Sequence, residues 1–100
     1  MIYITQLIFI KEDKEEIFLA FEEFALPLMK KYNGELLYRI RPAKENFITY
    51  TNEIPYEIHF ISFQSEKDLK EFMEDDSRLQ FIHLKDESVK SILLVKGEKM

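Results

Sequence analysis

The chain has 100 residues, 46% of them hydrophobic and 33% charged, with a net charge of −5 and no cysteine. That length and apolar content suit a globular domain with a real core and exclude a disordered chain. The missing cysteines exclude disulfides, thiolate zinc sites and a cysteine nucleophile, and an acidic balance without a Lys/Arg patch argues against a nucleic-acid partner.

Residues 1–100 are expected to form a single domain, since no linker, low-complexity tract or readable repeat divides them. Met1 to Ile10 is apolar but lacks a basic leader and a small-residue cleavage site. No run approaches the roughly 20 apolar residues of a membrane span, so the expectation is a cytoplasmic protein with no membrane partner.

The first element, Ile2 to Ile10, carries Ile2, Ile4, Ile8 and Ile10 on one face and Tyr3, Leu7 and Phe9 on the other. It reads as a strand covered on both sides, interrupted only by Thr5 and Gln6. Lys11 to Glu16 is a charged turn in which Asp13 and Glu16 have the spacing of a capping box. A helix then runs to about Tyr32, with Ile17, Phe18, Phe21, Phe24, Ala25, Leu28, Met29 and Tyr32 in one broad apolar stripe.

Leu19 and Leu26 fall on the other side of that helix, among Glu15, Glu22, Glu23 and Lys30. Singly they read as ordinary exposed leucines, and as a pair they read as a contact for a second subunit. Pro27 predicts a kink, because it removes a helical hydrogen bond and crowds the carbonyl of Glu23. Asn33 and Gly34 supply a left-handed stop.

Strand two, Glu35 to Arg41, sets Leu36, Tyr38 and Ile40 against Leu37, Arg39 and Arg41 and ends at Pro42. Ala43 to Pro55 is irregular and longer than a hairpin needs, with room for a short strand over Phe47 to Thr51. Strand three, Tyr56 to Phe63, sets Ile58 and Phe60 against His59, Ile61 and Phe63. Ser65 caps a short helix striped by Leu69, Phe72 and Met73, and Asp75, Asp76 and Ser77 break or re-cap it. A further helical turn or two precedes strand four, Val89 to Val95.

The order is βαββαβ, an α+β class. Right-handed crossovers over an antiparallel four-stranded sheet make it a ferredoxin-like sandwich with the helices on one face. The other face, rich in Ile, Leu, Phe and Tyr, then exceeds the apolar patch a monomer normally exposes, so a second copy is the economical cover. A homodimer built face to face is the expectation.

The opening strand IYITQLIFI, the block PLMKKYNGELLYRIRP, and IHFISFQSEKDLKEFMEDDSRL before SILLVKG together resemble the dimeric α+β barrel superfamily, in which two ferredoxin-like sheets pack their open faces. The likeness is nearest to a small uncharacterised branch related to the antibiotic-biosynthesis monooxygenase type. The resemblance covers nearly the whole chain as a pattern of elements. It implies a fold, while the superfamily's activities span monooxygenases, isomerases, haem proteins and domains without an assigned role.

Candidate chemistry is sparse. His59 is the only histidine on a predicted strand; an imidazole there can act as base or acid, although a lone histidine on a largely apolar strand face is more often a hydrogen-bonded core or interface residue. Glu57 shares its face at i and i+2, where a carboxylate orients an imidazole. Those two are the catalytic candidates.

Gln6 is a substrate-binding candidate, because an amide among Ile2, Ile4, Ile8 and Ile10 requires a partner. Arg39 and Arg41 share a face and suit an anionic group on a ligand, or alternatively protect an edge strand from stray pairing. His83 with Asp86 or Glu87 lacks a metal-ligand spacing, so no metal is expected. Only Gly34 and Gly97 are present, which rules out a glycine-rich phosphate loop.

Two functions follow. In the first, each subunit binds or transforms a small apolar molecule with no cofactor or prosthetic group, in monooxygenase-like or isomerase-like fashion; this reading requires a closed pocket with converging polar groups. In the second, the chain is a non-catalytic binding or accessory module whose open sheet face serves only dimerisation.

Overall fold

A computed structural model describes residues 1–50 and 53–100. Four strands, β1 (Ile2–Ile10), β2 (Gly34–Ile40), β3 (Glu57–Phe63) and β4 (Val89–Gly97), form one antiparallel sheet in the order β2-β3-β1-β4. Helix α1 (Glu15–Leu28) connects β1 to β2, and three short helices, α2 (Glu66–Met73), α3 (Asp76–Gln80) and α4 (Ile82–Ser88), connect β3 to β4. This is the ferredoxin-like βαββαβ topology that the order of elements predicts. No helix among the described residues is long and apolar enough to cross a membrane.

Two strands occupy the centre because both their faces are apolar. On the helix side, Ile4, Ile8, Ile61 and Phe63 are buried with Phe18, Phe21, Ala25, Met29 and Phe72 from the helices. On the other side nothing among the described residues covers the sheet. The cross-strand pairs Thr5 with Phe60, Leu7 with Ile58 and with Leu93, and Thr5 with Val95 place these residues on one continuous surface. Tyr38, Phe60, Leu93 and Val95 are exposed there, and the Tyr38 and Phe60 rings meet edge to face at 6.2 Å.

Several local expectations are corrected. The Asp13 and Glu16 capping box does not form: Asp13 adopts a left-handed conformation (φ 62°), so Lys14 occupies the cap position without a side-chain bond. The glutamates at 15 and 16 still favour the positive end of the helix dipole. Pro27 lies inside α1, and past it the chain tightens into a 3-10 turn, Met29–Tyr32, instead of continuing to Tyr32 as α-helix.

Asn33 supplies the left-handed stop (φ 58°), whereas Gly34 does not share that conformation and already begins β2. Glycine is required at 34 for clearance, because a Cβ there would sit 2.6 Å from the Phe63 ring and 3.0 Å from the Met29 carbonyl oxygen. Residues 44–46 form a 3-10 turn, and no strand occurs over residues 47–50; Thr51, the end of the short strand considered there, lies outside the described residues.

Leu26 is not an outward-facing leucine. It packs against the core, because the buried face of α1 runs through Phe18, Phe21, Glu22 and Ala25. The apolar stripe is thus rotated toward Glu22, and the helix-one pair at 19 and 26 does not form a separate outer surface.

A bulge in β2 has the largest consequence. Leu36 pairs with Ile61 and Tyr38 with Phe60, so Leu37 is an extra residue and simple alternation fails. Leu36 therefore faces the helices, and so do Arg39, opposite His59, and Arg41 beyond it. The bulge delivers both arginines to the side where Glu57 and His59 lie.

Candidate functional site

Glu57 and His59 sit two residues apart on a central strand, so their side chains emerge together under the helices. Both are only 1% exposed. The Glu57 carboxylate is held by three side chains. Its Oε1 accepts from Arg39 Nε at 2.8 Å and lies 2.8 Å from His59 Nε2, while Oε2 accepts from Arg39 Nη2 at 3.1 Å and Arg41 Nε at 3.1 Å. Arg41 also stacks over the Tyr56 ring at 4.8 Å, which steadies the outer guanidinium.

Burial alone would raise the Glu57 pKa. The hydrogen bonds from His59, Arg39 and Arg41 outweigh it and bring the carboxyl down to about 2. Glu57 is therefore an anion at neutral pH and only accepts hydrogen bonds, so the hydrogen between it and His59 belongs to Nε2. An imidazole with its hydrogen on Nε2 has its lone pair on Nδ1, and Nδ1 of His59 has no hydrogen bond among the described residues.

A cavity of about 60 Å³ lies between sheet and helices beside this pair. That is several times the roughly 10–15 Å³ that one water occupies. Its walls include Ile8, Phe18, Phe21, Ala25, Met29 and Ile61, and it is partly open to solvent. Five polar side chains reach it from five elements: Gln6, Glu22, His59, Arg78 and Lys85. Gln6 stands directly across the strand pair from His59.

The sequence candidates divide accordingly. His59 and Gln6 line the cavity, and Glu57 lies directly behind His59. Arg39 and Arg41 hold Glu57 and do not line the cavity; Arg41 instead borders an outer groove with Pro42, Pro55 and Tyr56.

Three residues at the cavity escaped the sequence reading. Glu22 is 8% exposed, with no hydrogen bond or ion pair among the described residues. Burial pushes its carboxyl pKa up, partly offset by His59 and Arg39. Its signal was present in the spacing of Phe18, Glu22, Ala25 and Met29, which puts an acid in the middle of a buried row.

Arg78 and Lys85, on α3 and α4, complete the set. Burial, with a smaller contribution from Arg78, pushes the Lys85 pKa down. No group of three His, Cys, Asp or Glu residues placed to hold a metal ion occurs among the described residues.

No protein-family model matches the chain, and no curated protein matches it in sequence. Solved structures do match in fold. A protein of unknown function from Rhodopseudomonas palustris aligns at TM-score 0.84 and 13% identity, over 99% of this chain and 82% of that one. A putative antibiotic biosynthesis monooxygenase from Nitrosomonas europaea aligns at TM-score 0.76 and 12% identity, over 100% and 99%. A dimeric ferredoxin-like protein of unknown function from Bacteroides fragilis aligns at TM-score 0.69 and 15% identity, over 98% and 95%. The likeness establishes the ferredoxin-like fold.

Glu22 gives a test of the cavity's electrostatics. Its folded pKa lies above its unfolded one, so ionising it costs stability as pH rises from the unfolded value toward the folded one and beyond. Glu22→Gln is expected to melt at a higher temperature than the wild type at pH 8, by about 4–8 °C for each kcal/mol recovered, with the gap closing toward pH 4. Melting curves across that range check this, and an equal or lower melting temperature at pH 8 would contradict it.

Proposed function

We propose that this protein is a homodimer in which each chain binds a small, largely apolar carbonyl compound between sheet and helices, and that His59 moves a proton on it. The observation that carries this reading is the pinned Glu57–His59 pair, whose second ring nitrogen is left free beside a cavity where other polar groups meet. A module whose sheet serves only dimerisation has no use for such a convergence on the helix side.

In this reading Nδ1 of His59 takes a proton from the carbon next to the carbonyl, and the electron pair of the broken C–H bond passes into an enolate. The Gln6 amide, facing His59 across the strands, donates a hydrogen bond to the enolate oxygen. In a β,γ-unsaturated carbonyl compound that electron pair extends through the neighbouring double bond, so Glu22, whose burial favours its protonated form, returns a proton to the γ-carbon as the double bond moves next to the carbonyl, and the proton on His59 restores Glu22. The product is a positional isomer. No oxidant, reductant or prosthetic group enters the balance.

Glu57 is a positioning residue that sets the His59 tautomer, and Arg39 and Arg41 act through it. The same base would also suit the deprotonation of a phenol or enol ahead of attack on dioxygen. The fold likeness to the Nitrosomonas protein is the observation that favours that branch.

The assembly follows from the uncovered sheet face. The chain extends 36 × 36 × 16 Å, the thickness of two layers, and Tyr38, Leu93 and Val95 are each more than half exposed on the bare side. Packing this face against a second copy removes it from water without any further element. The expected solution mass is twice that of the 12.1 kDa chain, and Phe60→Glu with Leu93→Glu should yield monomers. A wild-type monomer at micromolar concentration would contradict the paired-sheet assembly.

The chemistry is tested by hydrogen–deuterium exchange in D₂O, with butanone and 2-oxobutyrate as probes and NMR as the readout. His59→Gln is expected to slow exchange at carbon by at least about 100-fold. Glu57→Gln should slow it about 10-fold, through loss of the fixed tautomer. Absence of exchange with both probes, or exchange that survives in His59→Gln, would overturn the assignment of His59 as the base.

A further inference from the structure

We infer that the cavity accepts a short apolar monocarboxylate and that Arg78 receives its carboxylate. This rests on the cavity being the ligand site, as proposed above, and adds the charge of the ligand to that reading.

Arg78 is 5% exposed, yet its guanidinium is barely used by the protein. Nη1 donates to the Met73 carbonyl oxygen at 3.3 Å, and Nε has no partner. No carboxylate among the described residues comes within ion-pair distance of the group. The Phe21 and Phe72 rings flank it, with the guanidinium carbon 5.8 Å and 5.2 Å from their centroids. Aromatic faces favour a cation but accept no hydrogen bonds in the guanidinium plane, so the donors along the Nε edge remain unspent.

A buried polar group ordinarily has its partners built in. Here the side chain that lacks an acceptor lines the cavity. Lys85 lines the same space, and its ammonium likewise has no hydrogen bond or ion pair among the described residues. Glu22 is the one acid lining the cavity. Arg78 and Lys85 are thus two cations on a cavity whose single acid favours its protonated form, and an anion is the ligand they suit.

The chemistry of the walls selects among anions. The Nε edge of a guanidinium forms two parallel bonds to the paired oxygens of a carboxylate. A phosphate would bring four oxygens, all needing polar partners, into walls that are mostly apolar. The aromatic rings beside Arg78 and the neighbouring Ile61 suit an apolar body attached to the carboxylate. A volume of about 60 Å³ restricts that body to a few heavy atoms. Combined with a proton acceptor at His59, the substrate class is a short-chain oxo carboxylate.

The test compares isobutyrate with isobutyramide, which share a shape and differ in charge, by NMR titration of the wild-type protein. Isobutyrate should bind at least about 10-fold more tightly. Arg78→Met should abolish that preference and Lys85→Gln should reduce it. Arg78→Lys keeps the charge but loses the fork, and should fall between. Circular dichroism melts establish that each variant folds, and if Arg78→Met does not, the wild-type comparison and Arg78→Lys decide.

Amide binding as tight as isobutyrate, inorganic phosphate binding as tight as isobutyrate, or unchanged isobutyrate affinity in Arg78→Lys would overturn the inference. The two readings fail separately. Isobutyrate preference without any exchange chemistry would uphold the anion site and remove the proton transfer. Exchange of butanone as fast as that of 2-oxobutyrate would uphold His59 and remove the anion site.

Discussion

The buried carboxylate of Glu57 is the constraint around which the rest of the helix-side face is arranged. A carboxylate at 1% exposure is tolerable only if its charge is met and its oxygens are hydrogen-bonded, and two guanidinia and an imidazole do this. The arginines come from the adjacent strand, and they reach Glu57 only because the bulge at Leu37 moves them to the helix side. Backbone irregularity, ion pairing and the orientation of His59 are therefore one feature of the fold. Replacing any member leaves the others with an unpaired buried charge or an unset tautomer.

Around that fixed centre the cavity groups are left unpaired. Glu22, Arg78 and Lys85 sit at an apolar interface without the ion pairs that a purely structural arrangement would supply. A core optimised for stability would carry hydrophobic residues at these positions or pair them directly. Unspent donors and a raised carboxyl beside a free imidazole nitrogen fit the proposed binding site, at which unpaired polar groups cost stability. The sheet's other face has the opposite character, largely apolar and uncovered among the described residues.

The fold was legible because its strongest signals are local. Strands apolar on both faces, the Asn33 stop and the Ser65 cap each have one reading, and Ser65 does accept from the Asp68 backbone N–H. The Glu57–His59 pair was also legible, since residues two apart on a strand share a face. Arg39 and Arg41 were correctly placed together, but the bulge that turns them inward carries no glycine to announce it.

Glu22 was assigned to the solvent side because the stripe was drawn through the apolar residues, and an acid in the buried row looks like the edge of that stripe. Arg78 and Lys85 lie on helices of five and seven residues, too short for periodicity to assign a face. Only tertiary packing brings them to His59.

The central claim is that Glu57 holds the hydrogen on Nε2 of His59 and leaves Nδ1 as the acceptor toward the cavity. Nitrogen-15 NMR of the labelled imidazole reads this directly. A protonated Nε2 and an unprotonated Nδ1 are expected at neutral pH, with Nδ1 shifting when isobutyrate fills the cavity and the tautomer becoming mixed in Glu57→Gln. A hydrogen resident on Nδ1, or a tautomer indifferent to residue 57, would contradict it.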